Sequence, residues 1–326
     1  MLLAISAIIF GLVLLTLSAD KFVEAASSLA NHFGISPLIV GITVIGFGTS
    51  APEILVSIIA VLEGTPDIAI GNALGSNIAN IGLILGVTAF ITPILIAKSL
   101  LRRELPLLII ATVILTGCLI DGLLDQTDGI TLILVLMAIL VFLIKFHRNT
   151  SNKHCIDKNL TAKTSENMTF ISAIVWAFLG LIILIASSKA LVWGATYIAL
   201  ELGVSELIIG LTVIAVGTSL PELAASIASL RKGVPDMVIG SVIGSNLFNS
   251  LAVTGLPALL TDVNIDSHAV NRDLPVVGGL TILLLCFSYF PTLPTQSLSR
   301  VKGLLLLFCF VIYQLYLYYS VMIGNN

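Results

Sequence analysis

Charge is what this chain has least of. Of its 326 residues only 10% are Asp, Glu, Lys or Arg, against about 25% in soluble domains. Hydrophobic residues make up 57%, and the mean hydropathy is +1.11. That balance excludes a soluble globular domain and a disordered chain alike. Cysteine is nearly as sparse. Cys118, Cys155, Cys286 and Cys309 stand far apart, without close pairing or metal-ligand spacing, which argues against a disulfide framework or a thiolate metal centre. No glycine-rich phosphate loop is present, so no nucleotide-driven step is expected within the chain. The net charge of −3 points to no nucleic acid, and no obligatory protein partner is evident. His147, His154 and Cys155 share the polar stretch 146–167. A metal site there is conceivable, but a solvated basic linker is the stronger reading.

What is abundant is long apolar runs. They fall roughly at 2–18, 37–62, 68–96, 105–120, 129–145, 169–199, 205–230, 237–260, 274–290 and 303–322. A bilayer needs about 20 apolar residues per helix, so these predict ten spans and an all-α integral membrane protein. The lipid bilayer is thus the first partner. Residues 1–17 hold no Lys or Arg and no small-residue cleavage site follows, which reads as a retained first helix. With the N-terminus outside, the loops after spans 3, 5, 7 and 9 hold 12 of the 15 basic residues. This is the bias that marks cytoplasmic loops, so both termini are predicted outside.

The chain is also a duplication. Residues 34–80 align with 203–249 without a gap, and 24 of the 47 positions are identical. Gly48-Thr49-Ser50-Ala51-Pro52-Glu53 recurs as Gly217-Thr218-Ser219-Leu220-Pro221-Glu222, and Gly75-Ser76-Asn77 as Gly244-Ser245-Asn246. At the same offset of 169, Arg103-Glu104 pairs with Arg272-Asp273. Each copy holds five predicted spans. Five is odd, so the second copy must enter the membrane upside down, as in many secondary transporters whose sites lie at mid-membrane on the repeat interface. The predicted divisions are a first repeat at 1–145, a basic cytoplasmic linker at 146–167 and an inverted second repeat at 168–326.

Each copy places one carboxylate, Glu53 or Glu222, inside an apolar run. Such residues are costly and usually mark an ion path. Thr49 and Glu53 lie four apart and share a helix face, as do Ser76 and Asn80. Pro52 lacks an N–H, and with Gly46 and Gly48 it predicts a break or distortion in span 2, mirrored in span 7. Carboxylates, hydroxyls, amides and free carbonyls form an all-oxygen set, which leaves Ca²⁺, Mg²⁺, Mn²⁺, Na⁺ or K⁺. Ca²⁺ fits best, since it accepts six to eight oxygens in flexible geometry. The bland alternative is a structural acid paired with a buried base, for which Lys189 is the only deep candidate. Gly41, Gly71, Gly75, Gly210, Gly240 and Gly244 read as packing glycines. Ser57 and Ser226 match across the copies and suit packing or pathway lining equally. Asp20 and Glu24 are placed at the end of span 1, lining an inner vestibule.

Two copies of Gly-Thr-Ser-x-Pro-Glu, each followed by Gly-Ser-Asn, with Gly75-Ser76-Asn77-Ile78-Ala79-Asn80 in the first, resemble the α-repeats of the sodium/calcium exchanger family. The resemblance covers essentially the whole chain and is nearest the compact prokaryotic members. It implies ten helices, with the first and sixth sliding over a rigid core. It implies Ca²⁺ bound by Glu53, Glu222 and the carbonyls of Thr49 and Thr218. Na⁺ would draw on Ser50, Ser219, Ser76, Ser245, the Thr49 and Thr218 side chains and the carbonyls of Gly46 and Ala215, with Asn80 and Asn249 beside the centre. Where family members with sodium coupling commonly carry Asp, this chain has Asn249. The expected activity is Ca²⁺ export against Na⁺ across a bacterial inner membrane, with no catalytic residue and no resident cofactor. The alternatives are exchange against H⁺ or K⁺, a passive channel and, more remotely, an intramembrane protease.

Overall fold

The computed structural model describes residues 1–64, 66–96, 100, 102–151, 168–203, 215–289 and 297–324. Its helices are α1 (Leu2–Phe33), α2 (Pro37–Leu62), α3 (Pro66–Ala79, continuing through Ile91), α4 (Glu104–Leu119), α5 (Gln126–Ser151) and α6 (Phe170–Glu201). Then come α7 (Ala215–Thr218), α8 (Leu220–Arg231), α9 (Pro235–Leu260), α10 (Ala269–Tyr289) and α11 (Arg300–Gly324). Among the described residues eight helices are long and apolar enough to cross a membrane, and α4 is a shorter apolar helix. Span 7 begins outside the described residues, as do Gly210 and most of the linker, into which α5 extends as far as Ser151.

Local chemistry sets the helix ends. Ser36 accepts a hydrogen bond from the Ile39 N–H with Pro37 in the first turn, and Thr169 does the same for Ser172. Both are N-caps in the expected positions. At α5, Asp125 and Asp128 bond each other's backbone N–H reciprocally at 2.9 and 3.2 Å, a capping box. Gly34 closes α1 in the left-handed conformation, and its repeat mate Gly203 does so after α6, where a side chain would be strained.

Three differences from the sequence expectation stand out. First, α1 runs to Phe33 rather than ending near residue 18. Asp20 and Glu24 do not stop it because Arg231 and Lys232 compensate them, at 3.3 and 3.1 Å. Second, α2 is not broken at Pro52; the proline sits inside the continuous segment Gly46–Leu62. The irregularity lies about two turns earlier, as a π-helical turn at Gly41–Ile45. The second copy is interrupted, by a turn at Ser219 between α7 and α8. Third, π-helical turns also open at Asn80 and at its repeat mate Asn249. Such turns concentrate at functional sites.

Packing is inside-out relative to a soluble protein. The most hydrophobic window of α9 is wholly buried, while Leu2, Phe10, Ile171, Phe178, Phe308 and Leu315 face outward. The main core gathers Ile39, Ile42, Ile70, Leu74, Ile78, Ile81, Val242, Ile243 and Leu247 around α9. A second cluster, including Phe22, Val23, Ala26, Ala177 and Leu184, holds α1 against α6. Two short antiparallel ladders complete the fold. Ile94–Leu95 (β1) pairs with Ser297–Leu298 (β4), and Leu123–Leu124 (β2) with Val263–Asn264 (β3). Arg272 pairs with Asp273, which also accepts from the buried Tyr313 hydroxyl at 2.9 Å, tying α10 to α11.

Candidate cation site

The site starts with the crossing of α2 and α9. A Cβ at Gly46 would meet the Ser245 backbone nitrogen at 2.9 Å, and one at Gly41 would meet the Met237 carbonyl at 2.7 Å. At Gly240 and Gly244 a Cβ would overlap the carbonyls of Leu38 and Ile42. Gly41, Gly240 and Gly244 are therefore packing glycines, as expected, and Gly46 joins them. Gly71 and Gly75 are not, because nothing lies within 4 Å of a Cβ at either.

Close approach of the backbones brings polar side chains of the two copies together. Ser245 donates to the Gly46 carbonyl at 3.3 Å and lies 3.4 Å from the Thr49 hydroxyl. Asn80 donates to Asn246 Oδ1 at 2.9 Å, and Asn77 to Ser250 Oγ at 2.9 Å. Glu53 of α2 and Glu222 of α8 are 2% and 3% exposed, so both are inside the protein rather than against lipid. The Glu222 carboxylate faces the Thr49 hydroxyl and lies within electrostatic reach of Glu53. The two acids drawn from the two copies do come together.

The repeated motifs and their neighbouring helices also carry buried polar atoms without hydrogen-bond partners. Both Glu53 oxygens, Glu222 Oε2, Ser50 Oγ, Asn80 Oδ1, Ser226 Oγ and both side-chain polar atoms of Asn249 are in this state. Leaving one such group bare costs about 1–3 kcal/mol, more if it is charged, so a concentration of them calls for a ligand. Nearly all are acceptors, which suits a cation. Among the described residues no Lys or Arg forms an ion pair with either acid. Nor is there a group of three or more His, Cys, Asp and Glu side chains that could hold a metal. A cation here would rest on two carboxylates and neutral oxygens.

The remaining expected residues are placed unevenly. Ser76 and Ser219 are buried, Ser219 in the turn that opens α8. Thr49 is buried, but its mate Thr218 is exposed on a cavity wall. Ala215 is the first residue of α7. That cavity, about 260 Å³, is lined by Pro52, Glu53, Asn72, Ser188, Lys189 and Thr218 among others. Past Glu53 it follows Val56 of α2 and Trp193 of α6 toward the ends of those helices at Leu62 and Glu201. A second hollow of about 220 Å³ between α1 and α8 holds Asp20, Ala224 and Arg231 but does not include Glu222. Of the two acids expected in a vestibule, Asp20 lines this hollow and Glu24 does not, while the larger cavity reaches Glu53.

Two contributors escape the motif comparison. Asn72 donates to the Glu53 carbonyl and to Ser57 Oγ at 3.3 and 3.4 Å, and Ser188 donates to the Gly217 carbonyl at 2.9 Å. Their repeat mates are Ser241 and Ala19, so neither stands out as a repeated residue.

A sodium/calcium exchanger family model matches residues 3–145 and 172–319. The chain belongs to the sodium/calcium exchanger family. This exchanger is 42% identical to the putative antiporter CaxA of Alkalimonas amylolytica, over 98% of this chain and 100% of that one. It is also 42% identical to the inner membrane protein YrbG of Escherichia coli, over 98% of each. Its fold is similar to that of the sodium-calcium exchanger NCX_Mj soaked with Na⁺ and Sr²⁺. There the TM-score is 0.80 at 32% identity, covering 95% of this chain and 97% of that one. The exchanger is accordingly a multi-pass membrane protein of a cation/Ca²⁺ antiport family.

Proposed function

We propose that the protein exports Ca²⁺ in exchange for Na⁺ by alternating access, with one Ca²⁺ shared between Glu53 and Glu222. The observation that carries this reading is a pair of buried carboxylates, three of whose four oxygens have no hydrogen-bond partner, with a cavity that reaches Glu53. Two carboxylates balance one divalent cation. The empty pair carries two charges through a low-dielectric passage, at several kcal/mol per ion, so the site moves when filled and stays when bare. That difference is what makes exchange coupled rather than leaky.

The oxygens of Thr49, Thr218, Ser50, Ser219, Ser76, Ser245, Asn80 and Asn249 and the carbonyls of Gly46 and Ala215 complete the Ca²⁺ and Na⁺ ligand sets in this reading. Ten spans in two inverted halves are supported by the reciprocal ladders, in which each copy lends one strand to the other. They are supported too by repeat mates such as Gly34 and Gly203, which end equivalent helices alike. The α1–α6 pair, joined by an apolar cluster that also takes in Val40, Ile45, Ala225, Ala228 and Met237, is the unit that slides. In the orientation given by the basic loops, the Glu53 cavity opens outward and both termini lie outside. The name of the Escherichia coli relative favours the inner membrane of a bacterium as the location.

The test is ⁴⁵Ca²⁺ uptake into proteoliposomes under separately imposed Na⁺, K⁺ and pH gradients. Uptake is expected with the Na⁺ gradient and is expected to vanish in Glu53→Gln and in Glu222→Gln, each still monodisperse after purification. Near-normal transport in either variant refutes the shared site. Uptake driven by pH but not by Na⁺ replaces the counter-ion with H⁺, and flux without any counter-ion would make the protein a channel.

A further inference from the structure

Lys189 is a charge in an unusual place. It lies nineteen residues after Phe170 in the apolar helix α6, and an intramembrane lysine is costly and tends toward function. Among the described residues it has no ion pair and no hydrogen bond. Its side chain is exposed, and the space it borders is the cavity that also holds Glu53. Both Glu53 oxygens are buried without hydrogen-bond partners. An ammonium on a flexible four-carbon stem and a bare carboxylate thus share one small chamber.

We propose that Lys189 is a tethered cation that competes with the transported ion for Glu53, setting the apparent affinity on the open side. This rests on the reading of Glu53 and Glu222 as the cation site. With the site empty, the ammonium swings toward Glu53 and supplies the positive charge the carboxylates lack. An arriving divalent cation displaces it toward the cavity mouth. Two groups of like charge in one low-dielectric chamber exclude each other, so occupancy by one lowers affinity for the other. The mate of Lys189 is Asp20, 169 residues earlier, and Asp20 pairs with Arg231 of α8, whereas Lys189 has no such ion pair among the described residues.

The experiment compares full-length wild type, Lys189→Met and Lys189→Arg in proteoliposomes, measuring initial ⁴⁵Ca²⁺ uptake against Ca²⁺ concentration at a fixed counter-ion gradient. Lys189→Met is expected to lower KM for Ca²⁺ about ten-fold, as removal of a like charge at this range implies. Lys189→Arg is expected to keep the wild-type KM, which a purely packing role would not predict. An unchanged KM in Lys189→Met, or an equal shift in Lys189→Arg, overturns the proposal. If Lys189→Met does not fold, Lys189→Gln carries the same expectation. Glu53→Gln is run beside them. Should it transport normally, the underlying site reading is what fails; should it be inactive while Lys189→Met keeps its KM, only the tethered cation fails.

Discussion

Gly244 has no side chain because the Ile42 backbone occupies the space a Cβ would take. Backbone cannot yield as a flexible side chain can, so Gly244→Ala is expected to cost about 1–3 kcal/mol, read as a lowered thermal midpoint in detergent. Gly71→Ala, with nothing within 4 Å, is expected to fall within about 0.5 kcal/mol of wild type. In sequence the two glycines look alike, since both are repeated. Only the neighbour across the gap separates them. Asn249 is legible as a departure from the family pattern, and it is buried with both its polar atoms unpartnered. Asn249→Asp adds a negative charge beside Glu53 and Glu222. The expected outcome is a change in which gradient drives ⁴⁵Ca²⁺ uptake, with tighter dependence on Na⁺. Identical ion dependence in the two proteins would remove Asn249 from the coupling machinery.

Helices show what the apolar pattern can and cannot report. The pattern located α2, α6 and α9 to within two residues because their flanks are polar or carry Gly and Pro. It cut α1 short, because Asp20 and Glu24 look like an end until Arg231 and Lys232, some two hundred residues away, are seen to pair with them. The break expected at Pro52 rests on a lost N–H, a local argument, and the helix Gly46–Leu62 runs through it. The π-helical turns at Gly41, Asn80 and Asn249 have no periodicity signal of their own. Ion pairs of this exposure are worth about 0.2–1 kcal/mol each. Removing both in Asp20→Asn/Glu24→Gln is therefore expected to loosen the α1–α8 contact modestly. Labelling of Ala224→Cys by an impermeant maleimide, with the four native cysteines replaced, should rise about three-fold, corresponding to the lower part of that range. No rise would mean the pairs do not hold that side closed.

For the molecule as a whole, an outward-facing apolar surface and a polar centre are what a bilayer demands of a protein that carries ions. Orientation depends on the loop charges. Alkaline phosphatase fused after Gly324 is expected to be active and green fluorescent protein at the same place dark, as for an outside terminus; the reverse pattern would invert the direction in which the Glu53 cavity opens. Membrane class, duplication and the paired Gly-Thr-Ser-x-Pro-Glu motifs were settled by composition and self-comparison, since each is a property of short stretches taken singly. That Glu53 and Glu222 are both buried within electrostatic reach of each other, that Thr49 is buried while Thr218 lines a cavity, and that Lys189 lines the same cavity as Glu53 were settled by tertiary packing. A duplicated sequence writes the two halves as equivalents, but a carrier open to one side must place them unequally, and that inequality exists only in how the helices lie against one another.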